Sequence, residues 1–521
     1  MKYKQTRKLC CILSVLFLIS ASLGAFPSVS PLWTDYEDTI VDSECLTINS
    51  YGCAINGLPY QQEAVLTYNG WQYMTFYHGT GTEGTISGYV CVARRRLSGT
   101  GGIEIRTGES LPQALFSLRW PSTKWEIIEL TDYTFTSNDA HNMISMGICP
   151  NDGTIHLSYD HHGSTLHYRV SQTGVATNPE SVIWNTSLFS STRNYLISGT
   201  TVSEVTYPRF WQTPDGDLQI GWRTGTSGDG EWYIGDYNGT THLWTETHMV
   251  IGSSGTYNDG TSSGYERNPY LNAPIGYDAN GRLHVTWTWR EGSGTANHDI
   301  MYAYSDDGGD TWYDNSGGHK IADLSTGLVI DLNSTGVNVV TLSSYYGIMN
   351  QQGQAVDSDG NVHALMWHCT ADTYSGYSYS RFGSIGARRY FHYWRDAQTG
   401  TWTRNELHFD TGNVSTYVGT RPRIFVRDNG DAYAIYQSWQ TAVLSSTDIY
   451  IKSGDLVIQA ATAENDWNDW TVIYTLSGPF VNEVLVDPTR FDDGILSVMM
   501  QDSPDYNYEW TPIRLLEFKM N

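Results

Sequence analysis

Residues 151–159 read Asn-Asp-Gly-Thr-Ile-His-Leu-Ser-Tyr, a tight-turn signal followed by a segment in which polar and apolar side chains alternate. Asn-Gly and Asp-Gly pairs favour two-residue hairpin turns because these residues tolerate positive φ angles. Alternation with a period of two is typical of a β-strand whose two faces have different surroundings. The stretch therefore predicts a β-hairpin, and the same signal returns along the chain.

We assign seven of the chain's turn signals, each followed by an alternating or β-rich segment, to a recurring hairpin. Its glycines are Gly70, Gly153, Gly216, Gly281, Gly360, Gly430 and Gly494. Successive glycines are 63 to 83 residues apart, and almost no helical periodicity lies between them. One hairpin per near-regular repeat predicts an all-β fold, a seven-bladed β-propeller with one four-stranded blade per repeat. A large β-sandwich or a β-helix is the alternative.

The composition excludes several classes of protein. The chain has 30 Lys and Arg against 55 Asp and Glu, a formal net charge of −25, and 13% aromatic residues. A disordered chain lacks so many aromatic residues. A nucleic-acid-binding protein needs clustered basic side chains for phosphate contacts, so we expect no nucleic-acid partner.

The first 25 residues have the pattern of a secretory signal peptide. A basic start precedes an apolar run from Leu9 to Ile19, and small residues follow up to Ala25. The run is too short for a comfortable transmembrane helix. We therefore expect residues 1–25 to be a signal peptide and residues 26–521 to be a single catalytic β-propeller domain. The mature protein is expected to be secreted, extracellular or periplasmic, and to be a monomer without a membrane partner.

Residues 305–312, Ser-Asp-Asp-Gly-Gly-Asp-Thr-Trp, fit the pattern S-x-D-x-G-x-T-W. The segment resembles the Asp-box turn of sialidase-like propellers. Ser305 and Asp307 are expected to bond to the local backbone, and Trp312 is expected to pack between strands. We interpret the segment as a folding signature and exclude its carboxylates from the candidate site.

Polar residues at the matching ends of two neighbouring hairpins define a candidate site. If the first turn begins at Asn151, strand pairing places His141 opposite His162, with Cβ atoms about 4.5–5.5 Å apart. A turn one residue later makes that pair only diagonal. The alternation of faces favours His162 over the adjacent His161 as the residue in the groove, but both readings stay open.

The second hairpin turns around Asp215 and places Tyr207 opposite Arg223 in the predicted register. An arginine binds a carboxylate bidentately, and a histidine accepts a proton near neutral pH. A tyrosine donates or accepts a proton when a nearby cation lowers its pKa. This set of groups suits β-elimination on a uronic acid: arginine neutralises the C5 carboxylate, a base removes the C5 proton, and an acid protonates the departing O4.

This chemistry needs no cofactor in principle, so we expect none for catalysis. The identity of any metal site is left unknown. His363, His368, Cys369 and His392 lie near one another in the sequence but lack a recognised zinc spacing. A structural cation, calcium or zinc, there or elsewhere remains an open expectation.

Several segments resemble the propeller-type ulvan lyases, a group of BNR repeat-containing polysaccharide lyases. The resemblance is carried by residues 139–142 (Asp-Ala-His-Asn), 152–162, 166–169, 206–210 (Thr-Tyr-Pro-Arg-Phe), 221–225 (Gly-Trp-Arg-Thr-Gly) and 281–291. It implies a seven-bladed propeller that cleaves ulvan, the sulfated rhamnose–uronate polysaccharide of green algae. Cleavage would proceed by β-elimination at the uronic acid and leave 4,5-unsaturated uronate ends.

The resemblance also implies roles for individual residues. His141 would be the principal proton-transfer residue, His162 a second site histidine, Tyr207 the partner acid or base, and Arg223 the carboxylate neutraliser. The residues expected to bind substrate are Asn142, Arg209 and Tyr265. Whether His141 or Tyr207 acts as the base is left open, because glucuronate and iduronate place the C5 proton on opposite sides of the ring.

An acidic protein that binds an anionic sulfated polysaccharide needs a local concentration of positive charge, since salt screens net charge beyond about 8 Å. We expect a basic surface drawn from Arg94, Arg95, Arg96, Arg209, Arg223, Arg267 and Arg290. Two other functions compete with a lyase. One is a sialidase-like glycoside hydrolase, which the Asp-box suggests, and the other is a non-enzymatic carbohydrate-binding propeller.

Overall fold

The structure, a computed structural model, describes residues 36–47, 55–57, 62–97, 124–225, 227, 229–258, 263–264, 268–292, 297–370, 388–407, 420–438, 443–444, 449–450, 454–506 and 508–520. Within these ranges there is one α-helix, α1, at Pro488–Asp492. Short 3₁₀-helices occur at Ile55–Gly57, Pro179–Ser181, Thr186–Leu188, Ser344–Tyr346 and Ala463–Asn465. None of the helices in the described ranges has the length and hydropathy needed to cross a lipid bilayer.

The remaining regular structure consists of β-strands. Those in the first part of the chain are β1 Tyr36–Cys45, β2 Val65–Tyr68, β3 Trp71–Gly79, β4 Gly88–Arg96, β5 Glu126–Phe135, β6 Ser145–Ile148, β7 Ile155–Ser158, β8 His162–Ser164, β9 Tyr168–Val170, β10 Val205–Gln212, β11 Leu218–Arg223, β12 Trp232–Asn238, β13 Leu243–Ile251, β14 Tyr257–Asn258, β15 Ser263–Gly264, β16 Asn268–Leu271 and β17 Gly276–Tyr277. Those in the second part are β18 Leu283–Arg290, β19 His298–Ser305, β20 Thr311–Tyr313, β21 Lys320–Asp323, β22 Asn338–Val340, β23 Gly353–Val356, β24 Val362–Cys369, β25 Arg388–Arg395, β26 Trp402–Glu406, β27 Arg423–Val426, β28 Ala432–Gln437, β29 Val443–Leu444, β30 Ile449–Tyr450, β31 Gly454–Ala461, β32 Thr471–Val486, β33 Ile495–Asp502 and β34 Thr511–Lys519.

The strands form successive antiparallel meanders, which confirms the all-β class. Separate sheets have the orders β6-β7-β9, β8-β10-β11-β12-β13, β16-β18-β19-β20-β21 and β23-β24-β25-β26. A larger sheet runs β27-β28-β31-β32-β33-β34-β1-β3-β4-β5. In it the 16-residue β32 pairs with β31 and with β33, and β1 pairs along β34. The first described strand therefore lies beside the last one.

The predicted turn glycines occupy the tight connections between these strands. All seven have positive φ, between 66° and 84°, a region that side-chain-bearing residues rarely adopt. Six of the turns join directly paired strands, as predicted. The seventh is different, because α1 precedes Gly494: the Asp487 side chain caps that helix by accepting from Arg490 N, and Pro488 occupies its first turn.

Hydrogen bonds and one ion pair join each meander to the next, and the last of them joins the end of the chain to the first meander. In chain order these contacts are Met146 N to Glu63 O (2.8 Å), Gln212 Nε2 to Ile148 O (3.1 Å), Arg209 Nη1 to Leu271 O (2.8 Å), Ala273 N to Gln352 O (2.9 Å), Arg421 Nε to Asn350 O (2.8 Å), Arg421 Nη1 to Glu483 Oε1, and Thr67 Oγ1 to Asp487 Oδ2 (2.6 Å).

Residues 305–312 form a locally bonded turn between β19 and β20. Ser305 Oγ accepts from Gly309 N at 2.8 Å, and Asp307 Oδ1 accepts from Thr311 N at 2.8 Å. Trp312 is fully buried, and its Nε1 donates to Gly309 O at 2.8 Å. These side chains therefore make the local contacts that the sequence predicts.

The prediction that Arg94, Arg95 and Arg96 contribute to a basic surface is wrong. Arg94 stacks between the rings of Trp71 and Trp184 at 4.6 Å from each, and its Nε donates to Glu126 at 2.7 Å. Arg95 is buried, with its guanidinium 2.6 Å from the Glu517 carboxylate, and Arg96 pairs with Glu180 at 3.1 Å. These arginines are neutralised by acids that the linear sequence does not place beside them. Arg267 lies outside the described residues.

The neighbours Arg95 and Arg96 provide a stability prediction with a built-in control. Arg95→Ala is expected to lower the free energy of unfolding by about 3–5 kcal/mol, because it leaves the buried Glu517 carboxylate without one of its two arginine partners. Arg96→Ala removes only an exposed pair and is expected to cost about 0–1 kcal/mol. Urea unfolding of both variants measures the difference, and equal losses would contradict this account of the pair.

Candidate active site

Two histidines and one carboxylate form the centre of the candidate site. The rings of His141 and His162 stack with centroids 3.8 Å apart and planes 15° apart. Nδ1 of His141 bonds to Asp139 Oδ1, and Nδ1 of His162 bonds to Asp139 Oδ2 at 2.6 Å. Asp139 Oδ1 also accepts from the main-chain N of His141 at 3.0 Å. Because an ionised carboxylate only accepts, each Nδ1 carries the proton and each Nε2 is the basic nitrogen.

The sequence predicts the strand pairing around the two histidines only in part. The β6–β7 hairpin has the predicted register, with Ser145 opposite Ser158 and Ile148 opposite Ile155. Beyond β7, however, His162 belongs to the short strand β8, which pairs with β10 rather than with the segment that carries His141. His162 lies at the ring of His141, while the side chain of His161 is buried and bonds to Ser158 Oγ at 3.0 Å.

Tyr207 reaches the site through a β-bulge. On β10, Thr206 pairs with Arg223 and Arg209 pairs with Gly221, so Tyr207 and Pro208 oppose a single residue of β11. The predicted direct pairing of Tyr207 with Arg223 is therefore wrong. The physical reason is that Pro208 has no N–H for the ladder, and the bulge places Tyr207 at φ = 55°. A residue with a side chain is strained in this region, and such strain concentrates at functional sites.

The bulge turns the Tyr207 ring toward the arginine and the histidines. The Arg223 guanidinium lies 4.9 Å from the Tyr207 ring centroid, and the His141 ring lies 5.9 Å from it. Thr206 pairs with His162 on one side and with Arg223 on the other. Strands β8, β10 and β11 thus hold a histidine, a tyrosine and an arginine side by side.

Arg223 is buried and has unused hydrogen-bonding capacity. Its Nε and Nη1 atoms are buried and make no hydrogen bond within the part of the chain that the structure describes. A buried cation without hydrogen-bond acceptors is unfavourable unless a ligand supplies them. A planar carboxylate is the group that best matches the guanidinium fork.

Sequence reasoning missed Tyr270, which completes the basic side of the site. Its ring lies 5.0 Å from the Arg223 guanidinium and 4.5 Å from that of Arg290, whose Nη1 donates to the Tyr270 hydroxyl at 3.0 Å. Burial would raise the pKa of Tyr270, but the charges of Arg290 and Arg223 lower it. Tyr270 lies on β16 in a different sheet, and no local sequence pattern links it to the hairpins of His141 and Arg223.

The surroundings of the proton-transfer groups set their protonation states. Burial lowers the pKa of His141 to about 4, and the Asp139 carboxylate only partly opposes this shift. Burial would raise the pKa of Asp139, but the hydrogen bonds from His141 and His162 bring it well below its ordinary value. Burial also raises the pKa of Tyr207, against the opposing charge of Arg223. At neutral pH His141 is therefore a neutral base and Tyr207 a protonated phenol.

Asn142 directly follows His141 in the chain and bonds to residues outside the histidine pair. Its side-chain Nδ2 donates to Asp160 Oδ1, and its main-chain carbonyl oxygen accepts from the Tyr77 hydroxyl at 2.7 Å. The Tyr133 hydroxyl donates to the other oxygen of Asp160. The Oδ1 atom of Asn142 is buried without a hydrogen bond from any described residue. Asn142 therefore lies beside the site, with one acceptor available.

The other predicted substrate-binding residues are placed differently. Arg209 is buried, and its Nη1 donates to the carbonyl oxygens of Leu271 and Asn272 at 2.8 and 3.2 Å, which joins β10 to the next meander. Burial lowers the pKa of Arg209 to about 9, and the nearby Arg423 adds to this shift. Its role in substrate binding remains a prediction. Tyr265 lies outside the described residues.

Asp139, His141 and His162 are also the cluster whose ligand atoms come within 4.8 Å of one another, the one such group within the described residues. Imidazole and carboxylate donors suit Zn²⁺. Both Nδ1 atoms already bond to Asp139, however, so a metal bound to these Nδ1 atoms would have to displace their protons.

The sequence also suggested a cation near His363, His368, Cys369 and His392. In the structure His363 Nδ1 lies 2.9 Å from His392 Nε2, whereas His368 Nε2 bonds to the Tyr393 hydroxyl at 2.8 Å. A structural cation remains a prediction.

The protein is thus an all-β protein whose candidate site combines the buried residues His141, Tyr207 and Arg223 with the exposed His162. Sequence comparison gives its family. The profile of the BNR repeat-containing family matches residues 71–409, which is more than half of the chain. The protein therefore belongs to the BNR repeat-containing family.

Curated relatives resemble part of the chain. An ulvan lyase, long isoform, from Glaciecola sp. (strain KUL10) is 25% identical over 254 residues, which cover 42% of this chain and 23% of the relative. An ulvan lyase, short isoform, from Alteromonas sp. (strain LOR) is 26% identical over 215 residues, which cover 33% of this chain and 39% of the relative. The chain thus spans less than half the length of each of these relatives.

Two solved structures share the fold over nearly the whole chain. The polysaccharide lyase Uly1 has a TM-score of 0.63 at 17% identity, with 93% of this chain and 99% of that chain covered. The PL25 ulvan lyase bound to -[GlcA(1-4)Rha3S]- has a TM-score of 0.54 at 11% identity, with 90% and 94% covered. At these identities the likeness establishes the fold alone.

Proposed function

We propose that this protein is a polysaccharide lyase that cleaves ulvan by β-elimination at a uronic acid. The observation that carries the proposal is the convergence of the Asp139-bound pair, His141 and His162, with Tyr207 and with the incompletely bonded Arg223. The ulvan lyases among the relatives and the lyases among the solved structures support the same substrate class.

In the proposed reaction, each group has one task. Arg223 binds the C5 carboxylate and neutralises it, which makes the C5 proton more acidic. His141 removes that proton through Nε2, while Asp139 holds the imidazole with its proton on Nδ1. Tyr207 protonates O4 as the C4–O4 bond breaks, which leaves a C4–C5 double bond. The lowered pKa of His141 and the raised pKa of Tyr207 support this assignment of base and acid.

Product analysis tests this function against its two rivals. Mass spectrometry of ulvan treated with the purified protein is expected to show oligosaccharides lighter by one water than hydrolysis products. A sialidase-like hydrolase would yield the heavier, saturated products. A carbohydrate-binding protein would leave the polymer intact, and either of these results would contradict the proposal.

We further propose that the meanders form a seven-bladed β-propeller. Four of the seven turn glycines lie in the four separate sheets, and Gly70, Gly430 and Gly494 lie in the larger sheet, which would supply three blades. The series of contacts from Glu63 back to Thr67 supports a ring. In this arrangement β32 would serve two successive blades, and β1 would complete the last blade beside β34. His141, Tyr207 and Arg223 would lie where the second and third blades meet.

The remaining features of the whole protein are proposals of the same kind. Residues 1–25 would be removed as a signal peptide, and residues 26–521 would act as a single secreted, monomeric domain outside the cell or in the periplasm. No cofactor would take part in catalysis. The partner would be an anionic sulfated polysaccharide, with no role for nucleic acid or membranes.

The pH dependence of the reaction follows from the pKa of His141. Only the neutral imidazole accepts the C5 proton, and burial lowers its pKa to about 4. As the pH falls, kcat/KM on ulvan is therefore expected to decline around pH 4 rather than around 6.5, the ordinary value for histidine. Initial rates between pH 3 and pH 8 measure this limb, and a midpoint near 6.5 would contradict the assignment of His141 as the base.

A further inference from the structure

A polar cavity lies next to the segment that carries His162. It has a volume of about 520 Å³, which is within the range of small-ligand pockets. Two chain segments line it, one that follows β8 and one that precedes β10. The lining residues are Thr165, Leu166, His167, Ser191, Thr192, Arg193, Asn194 and Tyr195.

Arg193 gives this cavity its charge. The guanidinium makes no hydrogen bond or ion pair with any residue that the structure describes, and no lining residue is acidic. The other arginine nearby, Arg169, is paired: it donates to Asp132 at 2.6 Å and to Thr192 at 2.9 Å. The cavity therefore presents one uncompensated positive charge.

The rest of the lining supplies neutral hydrogen-bonding groups. Thr165, Ser191 and Asn194 line the cavity, and within the described ranges their side-chain hydroxyl and amide groups make no hydrogen bonds with the protein. His167 forms part of the wall, with its Nδ1 held by the carbonyl oxygens of Tyr159 and Asp160 at 3.2 Å. A single cation among hydroxyl and amide groups is a suitable environment for an anionic, oxygen-rich ligand.

One short segment connects this cavity to the proposed reaction centre. His162 stacks on His141, and Thr165, three residues later, lines the cavity. Three residues span at most about 11 Å, so the two sites lie within the reach of one short oligosaccharide. The buried His161 ring stacks on the ring of His167, which lines the cavity, with the two centroids 5.3 Å apart.

We propose that the Arg193 cavity binds a sulfate ester of the polysaccharide, on a sugar near the uronate held by Arg223. The proposal rests on the proposed function, because it needs ulvan as the substrate. The ligand of one solved relative carries a sulfated rhamnose, Rha3S, next to glucuronate, so sulfate and carboxylate alternate along the polymer. Arg223 would then select the carboxylate and Arg193 the sulfate.

Kinetics on ulvan and on chemically desulfated ulvan test the proposal. Arg193→Ala is expected to raise KM for sulfated ulvan about 10- to 100-fold, the usual value of a charge-assisted hydrogen bond. The difference between Arg193→Ala and the wild type is expected to fall below twofold when the substrate is desulfated. Arg193→Lys, which keeps the charge, is expected to recover part of the loss. Arg282→Ala, which removes an arginine paired with Asp306 on another sheet, is the matched control.

Two outcomes would overturn the sulfate site. One is an unchanged KM for sulfated ulvan in Arg193→Ala, and the other is an equal rise in KM for both substrates, which would indicate recognition of the carboxylate instead. If the wild type cleaves neither substrate, the proposed lyase function is wrong. Calorimetric titration with ulvan oligosaccharides then tests separately whether the Arg193 cavity binds them. Weaker binding by Arg193→Ala than by the wild type would still support the site, and equal binding would reject it.

Discussion

His141→Ala is expected to lower kcat/KM on ulvan by about 10²- to 10⁴-fold, the usual contribution of a positioned general base. The physical reason is that His141 is the buried, neutral imidazole whose Nε2 is left basic by the bond between Nδ1 and Asp139. The loss is expected mainly in kcat, because Arg223 still binds the substrate carboxylate. Steady-state rates at several ulvan concentrations separate kcat from KM.

Two measurements separate a catalytic effect from a structural one. The thermal unfolding midpoint of His141→Ala is expected to stay within a few degrees of the wild type, because the change leaves the β6–β7 hairpin intact. His319→Ala, a half-exposed histidine paired with Asp314 far along the chain, is expected to retain full activity. If His141→Ala kept more than a tenth of wild-type kcat, His141 would not be the base.

Asp139→Asn is expected to lower kcat by about 10²- to 10⁴-fold, although Asp139 itself touches no substrate atom in the proposed reaction. The carboxylate accepts from both histidines at once, whereas an amide has one oxygen that accepts and one nitrogen that donates. At least one histidine must then bond through an unprotonated Nδ1, which moves its proton to Nε2 and removes its basicity. Loss of an orienting carboxylate in histidine-based catalysis has effects of this size.

The pH profile distinguishes this positioning role from a loss of folding. Asp139 raises the pKa of His141 against the larger effect of burial, so Asp139→Asn is expected to shift the acid limb to lower pH as well as lowering kcat. Asp139→Glu, which restores two accepting oxygens, is expected to recover part of the activity. Glu and Asn variants with equal activity would contradict the role of the shared carboxylate.

The strand architecture could be read from the sequence because turn signals act locally. An Asn-Gly or Asp-Gly pair favours a hairpin through the backbone preferences of its own two residues, and six of the seven turns join paired strands as predicted. The turn at Gly494 departs from the prediction because Asp487 and Pro488 begin a helix before it. That capping signal is also local, and the prediction did not weigh it.

The candidate site was predictable only as far as strand register extends. His141 and His162 lie together as predicted, but not as cross-strand partners, because His162 belongs to β8, which pairs with β10. The predicted register also failed for Tyr207, because Pro208 interrupts the ladder and introduces a bulge. Tyr270 comes from another sheet and was not predicted. The pairing of Arg95 with Glu517 likewise depends on tertiary structure, which is why a basic surface was expected where an ion pair lies.

The most direct test of the proposed function is the ultraviolet absorbance of purified protein mixed with ulvan. A C4–C5 double bond conjugated to the carboxylate absorbs, whereas the saturated uronate does not. We expect the signal to rise with the wild type and to be nearly absent with His141→Ala and Arg223→Ala, while His319→Ala matches the wild type. No rise with the wild type, or an undiminished rise with both site variants, would contradict the elimination mechanism at this site.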